Sequence, residues 1–325
     1  MVAAMFDLDA LPQEMRGGVV AIGNFDGVHR GHAALIGATV EQARSRGVPA
    51  VVLTFDPHPR TFFRPDEPVA RLTPLPTRTR ILRALGVDAV AVARFDRAFS
   101  EVSADGFIAD VLAERLAIVG AVVGFNFRYG HRRQGTVELL RSAGASAGFG
   151  VTVIDPATGD GGAPIASRAI REALASGDVA AARIPLGYTW FAEGRVEAGD
   201  RRGRELGFPT ANVSLWPDCG LRYGIYASRV RLADGRTRNG VASFGRRPTF
   251  DDGMPKLEVY LFDFDEDIYG TRIAVKLVDF IRGEKRFDSV ETLVAAMHGD
   301  AAEARRRLAS APGPTDLDRA IDRVV

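Results

Sequence analysis

Two stretches of this 325-residue chain gather side chains that can do chemistry. The first is Gly23-Asn24-Phe25-Asp26-Gly27-Val28-His29-Arg30-Gly31-His32. His29 and His32 stand three apart, so on a helix they share one face. Two imidazoles on one face can donate hydrogen bonds to phosphate oxygens, where charge grows as a phosphate is transferred. Gly27 lets the backbone turn and approach a ligand. A metal site fits less well, because no third ligand stands nearby in the sequence. The second stretch is Gly207-Phe208-Pro209-Thr210-Ala211-Asn212. Thr210 and Asn212 are two apart, so on a strand they face the same side. A hydroxyl and an amide oxygen so placed suit a Mg²⁺ that bridges nucleotide phosphates.

The elements around these stretches are of two kinds. Up to about residue 182, apolar strand-like runs (18–25, 48–55, 88–95, 118–125 and 150–154) alternate with helical patterns at 29–44, 77–85, 103–116, 135–145 and 165–175. Ser103 is the expected N-cap of the third helix. Alternation of this kind implies a parallel sheet under right-handed crossovers, with ligands beyond the carboxyl ends of its strands. The histidine segment follows a strand and opens a helix, where free N–H groups and the helix dipole favour phosphate. From 186 to 281 the pattern becomes short alternating runs at 188–196, 224–232, 237–244, 257–262 and 271–280. Gly, Pro and Asp separate them, and Asp234-Gly235 is a hairpin signal. This predicts a compact antiparallel barrel. A helix over 289–308 follows, with Leu293, Val294 and Met297 set to pack on the barrel, then a short closing helix. The expected domains are 1–183 and 184–325.

Composition narrows the chemistry. Lys+Arg is 42 against Asp+Glu 41, which argues against a protein built to coat nucleic acid or an anionic membrane. Acids likewise offset the basic run Arg201–Arg204. The three lysines are Lys256, Lys276 and Lys285, so the first 255 residues offer no P-loop or Schiff-base lysine. Cys219 is the single cysteine, which excludes an internal disulfide and fits a reducing cytoplasm. No apolar run approaches the roughly 18–20 residues of a membrane span. The N-terminus carries acids where a signal peptide would carry a basic region.

The segment Gly23–His32 resembles the H-x-G-H signature of nucleotidylyltransferases. In its longer form it is similar to the adenylyltransferase module of prokaryotic bifunctional riboflavin kinase/FAD synthetases. The resemblance continues through Thr54-Phe55-Asp56-Pro57-His58-Pro59 and Val123-Gly124-Phe125-Asn126-Phe127-Arg128-Tyr129-Gly130. It departs at Ile165-Ala166-Ser167-Arg168-Ala169-Ile170-Arg171, where Ala166 and Arg168 replace two hydroxyl residues of the family's I-S-S-T-x-I-R segment. Arg168 retains the means to bind phosphate as a donor fork. In the second half, Gly207–Asn212, Tyr223–Ala227, Gly240–Thr249, Leu257–Phe264 with Asp267–Gly270, and Ile281–Phe287 resemble the family's riboflavin kinase module. Tyr260 stands where that family carries a His.

The resemblance implies an α/β Rossmann-like nucleotidylyltransferase domain with a parallel sheet, followed by a small antiparallel β-barrel riboflavin kinase domain with a C-terminal helix. It implies catalytic roles for His29, His32 and Glu258, with Glu258 as general base. Gly23, Phe25, Asp26, Gly27, Asn126, Ser167, Arg168, Arg171, Gly207, Thr210 and Asn212 would hold nucleotide. Asp56 and Arg282 would meet flavin, and Thr210 and Asn212 would hold Mg²⁺ with ATP. The implied substrates are riboflavin, FMN and ATP, and the products FAD, ADP and pyrophosphate. No nucleic acid or membrane partner is expected, the location is cytoplasmic, and the oligomeric state stays open. Two alternatives compete. One is a kinase whose first domain has lost adenylyl transfer. The other is a flavin-binding regulator without turnover, which would not need His29, His32 and Glu258.

Overall fold

The computed structural model describes residues 4–159, 162, 164–197, 206–245 and 255–324. The basic run Arg201–Arg204 and the block Arg246–Thr249 lie outside the described residues. Contacts divide the chain into two compact units, 1–69 with 73–166 and 323–325, and 70–72 with 167–322. The main division therefore falls between Ala166 and Ser167, earlier in the chain than the change of periodicity.

The first unit is built on six parallel strands: β1 (Ala4–Asp7), β2 (Val19–Ile22), β3 (Ala50–Asp56), β4 (Ala89–Arg94), β5 (Gly120–Gly124) and β6 (Gly150–Ile154). Their order in the sheet is β1-β4-β3-β2-β5-β6. Helices α1 (Arg30–Arg46), α2 (Pro59–Phe63), α3 (Leu75–Ala84), α4 (Arg97–Ser100), α5 (Ala104–Gly106) and α6 (Val137–Ala147) connect them. α5 runs on as a π-helical stretch, Phe107–Arg115, and Ser103 caps it as expected, accepting from Gly106 N at 3.0 Å. All four β2 residues are buried, because crossover helices cover both faces of such a sheet. The edge strand β1 had no signal in the sequence, since four residues are too few to set a period. The sheet brings the carboxyl ends of β2, β3 and β5 side by side.

The second unit begins with α7 (Ser167–Ser176) and α8 (Val179–Leu186). Six strands follow: β7 (Phe191–Arg195), β8 (Thr210–Ser214), β9 (Gly224–Arg231), β10 (Thr237–Gly245), β11 (Lys256–Leu261) and β12 (Arg272–Arg282). They are antiparallel in the order β7-β12-β9-β10-β11-β8. The two edges meet where Glu197 N donates to Asn212 O at 2.9 Å, so the barrel is nearly closed. Gly235, at φ +88, turns the β9–β10 hairpin that Asp234-Gly235 signalled. Inward positions such as Val213, Leu257 and Val259 fill the barrel. The outward residues Ala227 and Phe262 pack beneath α9 (Val290–Ser310) through Ala304 and Leu308. Ser289 and Thr292 form a capping box at the start of α9. Leu293 and Met297 line a cavity under this helix, while its deep packing comes from Ala304 and Leu308 about two to four turns later. The closing helix α10 (Asp316–Arg323) is fastened by Lys276, whose Nζ lies 2.7 Å from Asp322 Oδ2 and 3.4 Å from Asp318 Oδ1. The segment 70–72 belongs to this unit, with Ala70 O, Arg71 O and Leu72 O accepting from Arg171 Nε, Trp216 Nε1 and Trp190 Nε1.

Candidate active sites

The histidine segment forms a tight turn between β2 and α1. Three of its residues have positive φ: Phe25 at 49°, Gly27 at 82° and Val28 at 36°. Only glycine adopts such angles without strain, and a β-branched residue adopts them least readily. The turn is held by a buried network. Asp26 Oδ1 accepts from Thr73 N at 2.9 Å and from Thr73 Oγ1 at 3.3 Å, while Thr73 Oγ1 accepts from Gly27 N at 2.9 Å. Arg78 reaches Asp26 Oδ1 at 3.6 Å, Thr54 Oγ1 at 3.3 Å and Thr73 O at 3.1 Å. Asp26 is thus buried and engaged beneath the turn.

The sequence placed both histidines within the helix, but His29 is its N-cap. Its Nδ1 accepts from His32 N at 3.3 Å. An Nδ1 that accepts leaves the proton on Nε2, so neutral His29 presents an Nε2–H donor. The two rings stack with centroids 3.7 Å apart, and Phe25 meets His32 edge-on at 5.2 Å. A Cβ at Gly31 would lie 3.2 Å from the His29 ring, and one at Gly23 would lie 3.1 Å from the Phe25 ring. The glycines of the motif therefore make room for aromatic rings. Phe25 is buried as the support of His32.

Asp56 ends β3, and its carbonyl accepts from Phe95 N at 2.8 Å. His58 caps α2, with Nδ1 accepting from Arg60 N at 3.1 Å. Phe55, Phe62, Phe63, Phe95 and Phe99 form a chain of ring contacts around the ends of β3 and β4, with centroids 5.2–6.2 Å apart. Phe63 is 64% exposed, and Phe125, just after β5, is 52% exposed. In the sequence this aromatic group shows only as the phenylalanine pair at 62–63. Asn126 is exposed in the turn after β5. Behind it Phe127 stacks on Tyr129 at 5.5 Å, and burial pushes the Tyr129 phenol up to about 12, so it stays neutral. Ser167, Arg168 and Arg171 lie on α7 of the second unit. Arg168 pairs with Glu172 at 2.8 Å on the exposed helix surface, and Arg171 Nε donates to Ala70 O at 2.7 Å.

The second site lies on the outward face of the barrel. Alternation along β11 sends Leu257 and Val259 inward and Glu258 and Tyr260 outward. Register sets Glu258 opposite Asn212 on β8 and opposite Ser243 on β10, and sets Tyr260 opposite Thr210. Directly paired residues share a face. Glu258, Thr210, Asn212 and Ser243, far apart in sequence, are thereby brought together. Asn212 Nδ2 donates to Thr210 O at 3.4 Å, which leaves Oδ1 as its acceptor. Gly207, at φ +81, shapes the loop that leads into β8.

A cavity of about 330 Å³ opens between this face and α9. Glu258, Thr210, Ser243 and Arg282 provide polar groups, and Phe208, Val241 and Met297 provide apolar walls. Arg282 is held by a two-pronged bond to Asp300, at 2.8 and 2.6 Å. A second recess of about 300 Å³ lies alongside, lined by Val196, Leu261, Phe264, Ile268 and Tyr269. Thr210 lines both. Lys285 borders the first cavity, and Lys276 is committed to Asp318 and Asp322 of α10. Burial pushes the Cys219 thiol up to about 12, which removes it as a nucleophile. No helix among the described residues is long and apolar enough to cross a membrane.

The chain matches two family models in succession, FAD synthetase over residues 11–169 and riboflavin kinase over 186–308. It is 41% identical over 305 residues to the bifunctional riboflavin kinase/FMN adenylyltransferase of Escherichia coli K12, covering 94% of this chain and 96% of that protein. The protein of the same name from Bacillus subtilis is 36% identical over 301 residues, covering 91% and 94%. A solved structure from Streptococcus pneumoniae, named for macrolide efflux, superposes with a TM-score of 0.79 at 30% identity, covering 94% of this chain and 99% of that one. Both halves are matched, in order and nearly end to end, and each match falls on one of the two sites. The chain belongs to the bifunctional riboflavin kinase/FMN adenylyltransferase family.

Proposed function

We propose that residues 184–325 transfer the γ-phosphate of ATP to riboflavin, and that residues 1–183 then transfer AMP from a second ATP to the FMN formed. In the first step the ribityl 5′-hydroxyl attacks the γ-phosphorus, the bond to the β-phosphate oxygen breaks, and ADP leaves. Glu258 accepts the hydroxyl proton, the task of a carboxylate set beside a poor nucleophile. An aromatic ring system suits the cavity beneath α9, with its apolar walls and few polar groups. The nucleotide takes the adjoining recess, so that Thr210, common to both spaces, stands where phosphate must pass.

Thr210 and Asn212 would hold a hard cation through their side-chain oxygens. Mg²⁺ held there would neutralise charge on the transferring phosphate. Gly207 gives its loop the freedom to follow the nucleotide.

In the second step an FMN phosphate oxygen attacks the α-phosphorus of ATP, and pyrophosphate leaves. The dipole at the start of α1 and the imidazoles of His29 and His32 stabilise the growing charge. Gly23, Gly27 and Asn126 border the nucleotide, with Phe25 and Asp26 supporting it from below. Ser167, Arg168 and Arg171 are assigned to nucleotide binding by the family resemblance. Asp56 meets the flavin, for which the exposed Phe63 and Phe125 offer a stacking surface. Arg282 borders the flavin of the kinase site.

The observation that carries this reading is the pairing of a donor-bearing histidine turn in one unit with a carboxylate-lined cavity in the other. Labelled ATP tests it. With riboflavin as acceptor, label from the γ-phosphate should enter FMN, and label from the α-phosphate should enter FAD only. Label from the γ-phosphate in FMN with no α-label in any flavin would reduce the protein to a kinase.

A further inference from the structure

We propose that Thr73, outside both motifs and buried beneath the turn, is a positioning residue for adenylyl transfer. The proposal rests on the assignment of that step to the His29/His32 turn. Thr73 is 1% exposed and joins the turn from 46 residues away. Its hydroxyl accepts from Gly27 N at 2.9 Å and donates to Asp26 Oδ1 at 3.3 Å, while its own N–H donates to the same oxygen at 2.9 Å. A methyl group in place of the hydroxyl would remove two of these three bonds.

The turn so gripped is strained. Phe25 and Val28 both have positive φ, and such conformations persist only where surrounding bonds over-determine them. Val28 immediately precedes His29, whose Nδ1 caps α1 and whose ring stacks on His32 at 3.7 Å. Relaxation of Val28 towards an ordinary φ would rotate the peptide that carries His29, and the stacked pair would lose its aim. Thr73 therefore acts on the histidines through the backbone.

The test compares Thr73→Val, which keeps the side-chain volume, with Thr73→Ser, which keeps the hydroxyl, both in the full-length protein. FAD formation from added FMN and MgATP is measured, with FMN formation from riboflavin as the internal control. Thr73→Val should lower kcat for FAD formation about 10- to 100-fold, with KM for FMN changed by less than about threefold, because aim rather than binding is lost. Thr73→Ser should stay within about threefold of the parent, and kinase turnover should hold in both variants. The five histidines allow a readout independent of turnover, since long-range ¹H–¹⁵N spectra resolve each imidazole. Thr73→Val should displace the His29 and His32 signals and leave His58, His131 and His298 in place, and Thr73→Ser should restore them.

A Thr73→Val protein with unchanged kcat for FAD formation would overturn the proposal. So would equal losses in both variants, which would assign the effect to packing. If the parent itself makes no FAD, the functional assignment fails, and the imidazole spectra alone decide whether Thr73 sets the turn.

Discussion

The two sites hold their proposed reacting groups by different means. In the first, both histidines come from one turn of ten residues, and backbone strain with a buried network fixes their aim. In the second, Glu258, Asn212 and Ser243 come from three strands, and pairing register fixes their aim. A turn that caps its own helix is suited to offering donors to a phosphate at rest. A barrel face roofed by a helix is suited to enclosing a ring system and excluding water from a hydroxyl about to lose its proton. The difference teaches that, on the proposed assignment, phosphate is met in two ways. One uses a helix start with imidazoles, and the other uses small oxygen ligands on paired strands.

The sharpest way to break this comparison is to disable one site and read the other. Glu258→Gln should lower FMN formation by roughly 10²–10⁴-fold while FAD formation from added FMN continues, and chromatography of the flavins reads both. Parallel losses in both steps would refute the division of labour. His32→Ala should lower FAD formation by roughly 10²–10³-fold and leave FMN formation intact. An unchanged FAD rate would remove His32 from the chemistry.

The means of holding the fold can be compared as well. Lys276→Met would leave the buried Asp318 and the half-buried Asp322 without their cation, although Asp318 also accepts from Thr189 N and Thr315 N at 3.1 and 3.0 Å. Breaking such a buried pair from one side should destabilise the barrel unit by about 3–5 kcal/mol, seen as an earlier urea midpoint for kinase activity. A loss below about 1 kcal/mol would mean that water reaches the cluster and screens it. The smallest effect is expected at Arg168, whose side chain is 88% exposed beside Glu172. Arg168→Ala should raise KM for ATP in FAD formation roughly three- to tenfold, as the loss of one charge-assisted contact would. No change would leave Arg168 with the helix-surface pair alone.

The same contrast explains what the sequence revealed. The histidine turn was legible because its residues are contiguous, so their spacing carries the geometry. The clamp on it was not, because Thr73 and Arg78 meet Asp26 across some fifty residues of chain, and nothing about a Thr in Arg71-Leu72-Thr73-Pro74 marks that meeting. His29 was misplaced by one position, since a cap and a first helical residue look alike in a periodic pattern. In the barrel, alternation showed that Thr210 and Asn212 share a face, but only register shows that Glu258 lies opposite Asn212 and Ser243. The aromatic group around Phe95 arises from the ends of two strands and the helix α2, and no local period encodes it.

Mixing two proteins, each disabled in one step, tests the claim of two separate sites most directly. Glu258→Gln and His32→Ala are each given riboflavin and MgATP, alone and together. Neither alone should turn riboflavin into FAD, whereas the mixture should, because FMN made by His32→Ala is adenylylated by Glu258→Gln. A mixture that accumulates FMN and no FAD, or one that makes no FMN, would contradict the assignment of one step to each site.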